Sequence, residues 1–140
     1  MTLHAKKVCD HRTKVLALRY GIVATRPKAT HLRSGKVLAE QLEVPRTFVG
    51  RGIGLMFRSR LEPGSGMWIN PCNGIHMMFM NFPIDAVFLD RMNRVKKVYS
   101  RLPAWYGVVW VEWGAHSVLE LPPGSTEQLG LRPGDEISIV

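Results

Sequence analysis

The sequence predicts a small, mainly β single domain, either a barrel or a sandwich of short, mostly antiparallel strands with two short helices. The 140-residue chain contains 13 glycines and nine prolines, which indicates frequent turns and therefore short strands. Turn signals also separate short apolar runs along the chain, a pattern typical of small β domains. With 46% hydrophobic residues, a chain of this length can fill a single core.

The domain is expected to begin near Gly35 with a strand over residues 36–44. Its apolar residues fall on one face, with Glu40 as the exception, and Pro45 ends it because proline cannot donate to a strand ladder. Thr47 is the expected N-cap of a short helix that runs through Met56.

Three hairpins are expected to follow. In the first, Asn73-Gly74 is the dipeptide typical of a tight hairpin turn. The paired strands are expected at residues 67–70 with 75–80, 86–89 with 95–99, and 108–112 with 117–121.

A second short helix and a last strand complete the predicted fold. Ser125 and Gln128 form an S-x-x-Q capping box for a helix that Gly130 ends. The final strand, over residues 136–140, follows a Pro-Gly turn.

The net charge of +8 is concentrated at the N-terminus. Residues 1–36 contain nine basic residues and one acid, Asp10, whereas residues 37–140 contain ten of each sign. Residues 1–34 are therefore interpreted as a basic, loosely ordered arm and residues 35–140 as a nearly neutral domain. The charge supports non-specific nucleic-acid association through the arm and not through the fold.

The two cysteines, Cys9 and Cys72, are too few to indicate a disulfide framework. No apolar run approaches the ~20 residues that a membrane helix needs. Residues 15–24 resemble a signal peptide, but Arg19 interrupts them and no convincing cleavage site follows, so a cytoplasmic location is expected.

Several short motifs occur in order along the domain. They are Gly54-Leu55-Met56-Phe57-Arg58, Met80-Asn81-Phe82-Pro83-Ile84-Asp85, Val118-Leu119-Glu120-Leu121-Pro122 and Gly134-Asp135. Over about residues 35–140 they resemble the prokaryotic family "domain of unknown function 192". The resemblance implies a compact, mainly β fold with no established activity. Asn81 stands where the family usually has a basic residue, so an anion contact made by that residue in relatives would be lost here.

Cys72 and His76 form a C-x3-H pair across the predicted turn. A zinc site needs three or four ligands, and no second pair at ligand spacing accompanies this one, so neither a metal nor a cofactor is expected. A Cys–His nucleophilic pair is the alternative, but a small residue in a turn and a half-buried histidine are the favoured explanation.

Asp85 and Glu120 are the most informative polar residues. Alternation along the strand places Asp85 on the same face as Val87 and Leu89, and Glu120 interrupts an apolar strand. A carboxylate in such a position must find hydrogen-bond donors or become protonated. Asp85 is expected to accept backbone N–H bonds at the Phe82–Pro83 chain reversal. The alternative is an acid or base with a raised pKa in a pocket with Glu120.

Trp105, Trp110 and Trp113 crowd one segment and could form an aromatic binding surface or close the core. The leading hypothesis is a non-catalytic module whose site for a small ligand or protein partner comprises Asp85, these tryptophans and Glu120. The alternatives are a hydrolase-like enzyme that uses His76, Asp85 or Glu120, and nucleic-acid association through the arm. The sequence indicates neither the ligand nor the oligomeric state.

Overall fold

The structure, a computed structural model, describes residues 25–140, which contain ten strands and two short helices. The mainly β fold class is confirmed. In chain order the elements are β1 (Ala29–His31), β2 (Val37–Ala39), β3 (Gln41–Glu43), α1 (Phe48–Ile53), β4 (Ser65–Ile69), β5 (Ile75–His76), β6 (Ile84–Leu89), β7 (Val95–Leu102), β8 (Val108–Val109), β9 (Ser117–Leu121), α2 (Ser125–Leu129) and β10 (Ile137–Ile139).

The strands form three open sheets. The largest has the order β3-β4-β9-β6-β7, the second has the order β10-β1-β2, and β5 pairs with β8. Within residues 25–140 the β3–β4 pair is parallel and the other strand pairs are antiparallel. The expected preponderance of antiparallel pairs is confirmed. The barrel alternative is wrong, because none of these sheets closes on itself.

One of the three expected hairpins is present. Strands β6 and β7 pair in register through partners such as Phe88 and Lys97. Their turn is fixed by Asp90, whose Oδ1 accepts hydrogen bonds from the backbone N–H groups of Met92 (2.8 Å) and Arg94 (3.0 Å). Because this short polar side chain binds the backbone of its own turn, residues close together in the chain specify the pairing of β6 with β7.

The other two expected hairpins are wrong. Strand β9 lies between β4 and β6 and pairs with both, although both are distant from it in sequence. It is buried along its whole length. The short β8 pairs instead with β5. At Gly74 an added Cβ would collide with the carbonyl oxygen of Trp110, so this glycine permits a close backbone approach.

The expected first strand is divided at Glu40. Strand β2 joins the three-stranded sheet and β3 joins the five-stranded sheet, while the Glu40 backbone N–H donates to the carbonyl of Gly64 (2.8 Å). Strand β1 pairs with both β2 and β10, so the fold includes residues ahead of the expected start at Gly35. The rest of the predicted arm, residues 1–24, lies outside the described residues.

The two helices differ in how they begin. Thr47 caps α1 as expected, because its hydroxyl accepts the backbone N–H of Gly50 at 2.9 Å. The capping box predicted for α2 is wrong: Gly124 is the N-cap, and the Ser125 hydroxyl donates to the carbonyl of Pro122. Between residues 25 and 140, no helix has the length and apolar character to span a membrane.

The core lies on both faces of the five-stranded sheet. Ala86, Phe88 and Val118 belong to the apolar cluster on one face, and Val87 and Leu119 belong to the cluster on the other. Strands β6 and β9 are buried throughout because both of their faces are covered. Any polar side chain on these two strands therefore points into one of the two halves of the core.

Candidate functional site

Two carboxylates lie on the adjacent central strands β6 and β9. Asp85 is opposite Leu121, and the next residue, Ala86, is opposite Glu120. Because successive side chains alternate between the faces of a sheet, Asp85 and Glu120 point to opposite faces. The structure does not bring these two predicted site residues into one pocket.

Asp85 is fully buried and its carboxylate accepts four hydrogen bonds. Its Oδ1 accepts the backbone N–H groups of Arg101 (2.8 Å) and Gly124 (3.1 Å). Its Oδ2 accepts the backbone N–H (2.8 Å) and the hydroxyl (2.7 Å) of Thr126. Asp85 thus supplies the side-chain oxygen that satisfies the first turn of α2.

The expectation that Asp85 accepts backbone N–H bonds is confirmed, but the expected position of the donors is wrong. The donors come from the end of β7 and from α2, and not from the chain reversal at Phe82–Pro83. With four donors on two oxygens, the carboxylate is occupied within the fold. Its geometry offers little to a ligand.

Glu120 is equally deep in the core but poorly satisfied. Glu120 is 6% exposed, and its Oε2 has no hydrogen-bond partner among residues 25–140. Burial raises the pKa of Glu120 to about 7, an effect that the positive charge of Arg58 partly opposes. Arg58 itself is engaged elsewhere, since its guanidinium makes two 2.8 Å hydrogen bonds with the carboxylate of Glu43.

Glu120 lines a cavity of about 140 Å³. The walls come from the end of α1 and the residues that follow it, from β4, and from the segment around β5. They include the buried apolar side chains of Ile69, Met77 and Met80. Ile53 and His76 line the same cavity and are exposed, so its mouth lies between α1 and β5.

Cys72 and His76 both line this cavity. The Cys72 thiol donates a hydrogen bond to the carbonyl of Gly74 (3.1 Å), and burial raises its pKa, which disfavours the nucleophilic thiolate. In the described part of the chain, no group of three or more His, Cys, Asp or Glu side chains could hold a metal ion. His76 and Glu120 are thus the two predicted catalytic candidates that share a cavity.

The predicted tryptophan residues lie elsewhere. Trp105 is 49% exposed, Trp110 is 86% exposed and Trp113 is 85% exposed. None of them lines the Glu120 cavity. The structure therefore does not assemble the predicted site that joined Asp85, the tryptophans and Glu120.

The cavity contains residues that sequence reasoning did not select. Met77, Met80 and Arg51 line it, and Arg58 acts on Glu120 through its charge. Arg58 stands in one of the motifs that carried the family resemblance, so a signal for it was present. Nothing in the spacing of the methionines distinguishes a core residue from a residue of a cavity wall.

Three basic residues of the predicted arm contact acids of the fold. Arg26 lies 3.8 Å from Glu43, Lys28 lies 3.2 Å from Glu40, and Arg33 lies 3.2 Å from Asp135. The prediction of nucleic-acid association now depends on the exposed Lys36 and on five basic residues ahead of Thr25, which lie outside the described residues: Lys6, Lys7, Arg12, Lys14 and Arg19.

Comparison with known proteins gives a family and two similar folds. Residues 29–139 match the family described as "Uncharacterized ACR", domain of unknown function 192. A UPF0127 protein of Thermococcus sibiricus (strain DSM 12597 / MM 739) is 32% identical over 108 residues, which cover 74% of this chain and 68% of that protein.

Two solved structures have a TM-score of 0.69 with this chain. A protein of unknown function from Novosphingobium aromaticivorans DSM 12444 is 26% identical, with 80% of this chain and 82% of that chain covered. A "putative transcription regulator" from Sinorhizobium meliloti 1021 is 22% identical, with 85% and 98% covered, and shows the fold alone. The match over residues 29–139 establishes that this chain belongs to the family named domain of unknown function 192.

Proposed function

We propose that this protein is a non-catalytic binding module and that its ligand is a small molecule held in the Glu120 cavity. The observation that carries the proposal is the Oε2 of Glu120, a buried carboxyl oxygen on a cavity wall that has no hydrogen-bond partner in the part of the chain that the structure describes. Buried polar atoms in folded proteins almost always have a hydrogen-bond partner. A ligand with a donor group would supply the missing one.

The size of the cavity limits the ligand. An apolar cavity of ~150 Å³ can admit benzene, and this one measures about 140 Å³. Ile69, Met77 and Met80 provide an apolar lining for a group of that size. The ligand therefore has a compact apolar body no larger than about one aromatic ring.

The charge of the site favours a cationic donor. With a pKa of about 7, Glu120 is ionised in part of the molecules at neutral pH. A protonated amine would form a charge-assisted hydrogen bond with the ionised form and would stabilise it. His76 and the half-buried Arg51 line the same cavity and would limit how much further cationic charge the ligand carries.

Benzylamine and toluene test this proposal directly, because they share a ring and differ in the ammonium group. Isothermal titration and NMR chemical shifts would compare both compounds on the wild-type protein and on Glu120→Gln. We expect benzylamine to bind the wild-type protein and to bind Glu120→Gln at least about ten-fold more weakly. Toluene should bind both proteins alike. The exposed Glu127, changed to Gln, is the matched control.

Failure of benzylamine to bind the cavity, or equal binding to the wild-type protein and Glu120→Gln, would contradict the proposal. Native mass spectrometry of the purified protein adds an independent readout. A co-purified small molecule that is absent from Glu120→Gln would support the same site.

A hydrolase-like enzyme is the second candidate. It is favoured by the presence of His76 and Glu120 in one cavity and by a carboxyl pKa close to neutral, where a general acid or base works best. Hydrolysis of p-nitrophenyl acetate by the wild-type protein, His76→Ala and Glu120→Gln tests it. Equal rates for all three proteins would exclude this candidate for small esters.

A further inference from the structure

Helix α1 exposes its apolar side chains. Phe48 is 84% exposed, Val49 is 66% exposed and Ile53 is 47% exposed, and the helix contains no buried residue. A helix on the surface of a globular domain normally turns its apolar face to the core. Exposed apolar side chains that cluster on a surface are a feature of interaction sites.

Three exposed aromatic residues, Phe57, Phe79 and Trp105, form a row that begins just after α1 in the chain. The ring centroids of Phe57 and Phe79 are 5.4 Å apart, and those of Phe79 and Trp105 are 5.3 Å apart. All three residues have positive φ, at 63°, 62° and 68°. This backbone conformation is unfavourable for bulky side chains, and residues that adopt it cluster at functional sites.

Backbone hydrogen bonds fix the chain segments that carry the aromatic row. The backbone N–H of Phe57 donates to the carbonyl of Phe79 (2.9 Å), and that of Trp105 donates to the carbonyl of Met77 (2.8 Å). On the inner side of the same segment, Met77 and Met80 line the Glu120 cavity. The row is therefore the outer surface of a wall whose inner surface faces the cavity.

Positive charge surrounds α1. Residues 46–60 include four arginines and no acid. Over the described part of the chain, Arg46 and Arg51 form no ion pair. Beside α1, a groove of about 670 Å³ is lined by Arg26, Arg46 and Arg58, with Glu43 as its acid.

We propose that α1 and the aromatic row dock on the surface of an anionic lipid bilayer. Phe48, Val49 and Ile53 would enter the interface, and the arginines around them would bind lipid phosphates. Apolar side chains flanked by basic ones are the combination that anionic membrane surfaces select. The mouth of the Glu120 cavity, which Ile53 also lines, would then face the membrane.

The charge pattern argues against a second copy of the chain as the occupant. A two-fold symmetric contact through α1 would place the same patch on both sides of the interface. Arg46 and Arg51 would then face the arginines of the other copy, and like charges in contact are repulsive. The phosphates of anionic lipids are complementary to the same arrangement.

Vesicle sedimentation tests the proposal, with phosphatidylcholine vesicles and vesicles that also contain phosphatidylglycerol. We expect the full chain to bind the anionic vesicles and to bind neutral ones far more weakly. Phe48→Ser with Val49→Ser should weaken anionic binding by at least about ten-fold. Arg46→Gln with Arg51→Gln should weaken it by about thirty-fold and leave neutral binding unchanged. Inorganic phosphate should not displace the bound protein.

Met92→Ser with Arg91→Gln is the matched control, because Met92 is 71% exposed in the β6–β7 turn beside an arginine. This control should bind as the wild-type protein does. The wild-type protein and each double variant are also measured with Lys6, Lys7, Arg12, Lys14 and Arg19 changed to Gln, which removes the charge of these residues. The difference in binding between the wild-type protein and the α1 variants should persist.

Three results would overturn the proposal: no binding to anionic vesicles, equal losses in the control and the α1 variants, or loss of the α1 difference when the N-terminal charges are removed. A dimer in solution that Phe48→Ser with Val49→Ser dissociates, without vesicle binding, would assign the surface to a second copy. Capture of an acidic protein that the same variants abolish, again without vesicle binding, would assign it to a protein partner.

Discussion

Asp85 and Glu120 occupy neighbouring strands of one sheet at similar depth, yet their surroundings are opposite. Asp85 accepts four hydrogen bonds that join β7 and α2 to β6. Glu120 points to the other face, where a cavity adjoins it and none of the described residues offers its Oε2 a hydrogen bond. Burial of a carboxyl group alone therefore does not indicate function. The number of donors that the fold supplies separates a structural carboxylate from an available one.

The largest expected effect is that of Asp85→Ala. The change leaves three backbone N–H groups and a hydroxyl without their acceptor, around a carboxylate that is fully buried. Each unsatisfied buried donor costs about 1–3 kcal/mol, so we expect a loss of more than about 3 kcal/mol in the free energy of unfolding, measured in urea.

Asp90→Ala is the control for this variant. Asp90 also accepts two backbone N–H bonds, but it lies in an exposed turn where water can replace the carboxylate. The loss should be about 1 kcal/mol. Equal losses in the two variants would mean that Asp85 does not have the structural role that its four donors indicate.

The second effect is a pH dependence specific to Glu120. Its pKa in the folded protein is about 7, above its ordinary value of 4.5. Between these values the folded state keeps a proton that the unfolded state releases, so the free energy of unfolding falls as the pH rises. The fall is roughly 3 kcal/mol and is complete above pH 7.

Glu120→Gln should remove this dependence, since the amide resembles the protonated acid and does not titrate. Urea unfolding at a series of pH values would show the variant gaining stability relative to the wild-type protein between about pH 4.5 and pH 7. A constant difference between the two proteins across that range would show that Glu120 has an ordinary pKa.

The smallest effect is that of Thr126→Val. It keeps the shape of the side chain but removes the hydroxyl that donates to Asp85 Oδ2 and forms a hydrogen bond with the Ser100 hydroxyl. We expect a loss of about 1 kcal/mol in the free energy of unfolding, measured in urea. Thr126→Ser, which keeps the hydroxyl, should lose less. The opposite order would mean that packing of the methyl group matters more than the hydrogen bond.

The features that the sequence predicted correctly are local ones. The Asp90 turn, the β6–β7 pair and the Thr47 cap each depend on residues close together in the chain. The inward direction of Asp85 followed from strand alternation, and it is confirmed by the cluster that contains Val87 and Leu89.

The features that the sequence did not predict depend on distant contacts. Strand β9 pairs with β4 and β6, and no turn near residues 113–115 indicates those partners. The donors to Asp85 come from residues 101, 124 and 126, which a local reading cannot find. The predicted tryptophan site failed for the same reason, because closeness in sequence did not place Trp105, Trp110 and Trp113 beside Glu120.

The most direct test of the central claim is a ¹³C NMR titration of the Glu120 carboxyl group, assigned by comparison with Glu120→Gln. In the free protein we expect a pKa of about 7. Saturating benzylamine should lower that pKa, since the ammonium group stabilises the ionised form. A pKa near 4.5 in the free protein, or one that benzylamine leaves unchanged, would contradict the account of Glu120 as an available carboxyl group in a ligand site.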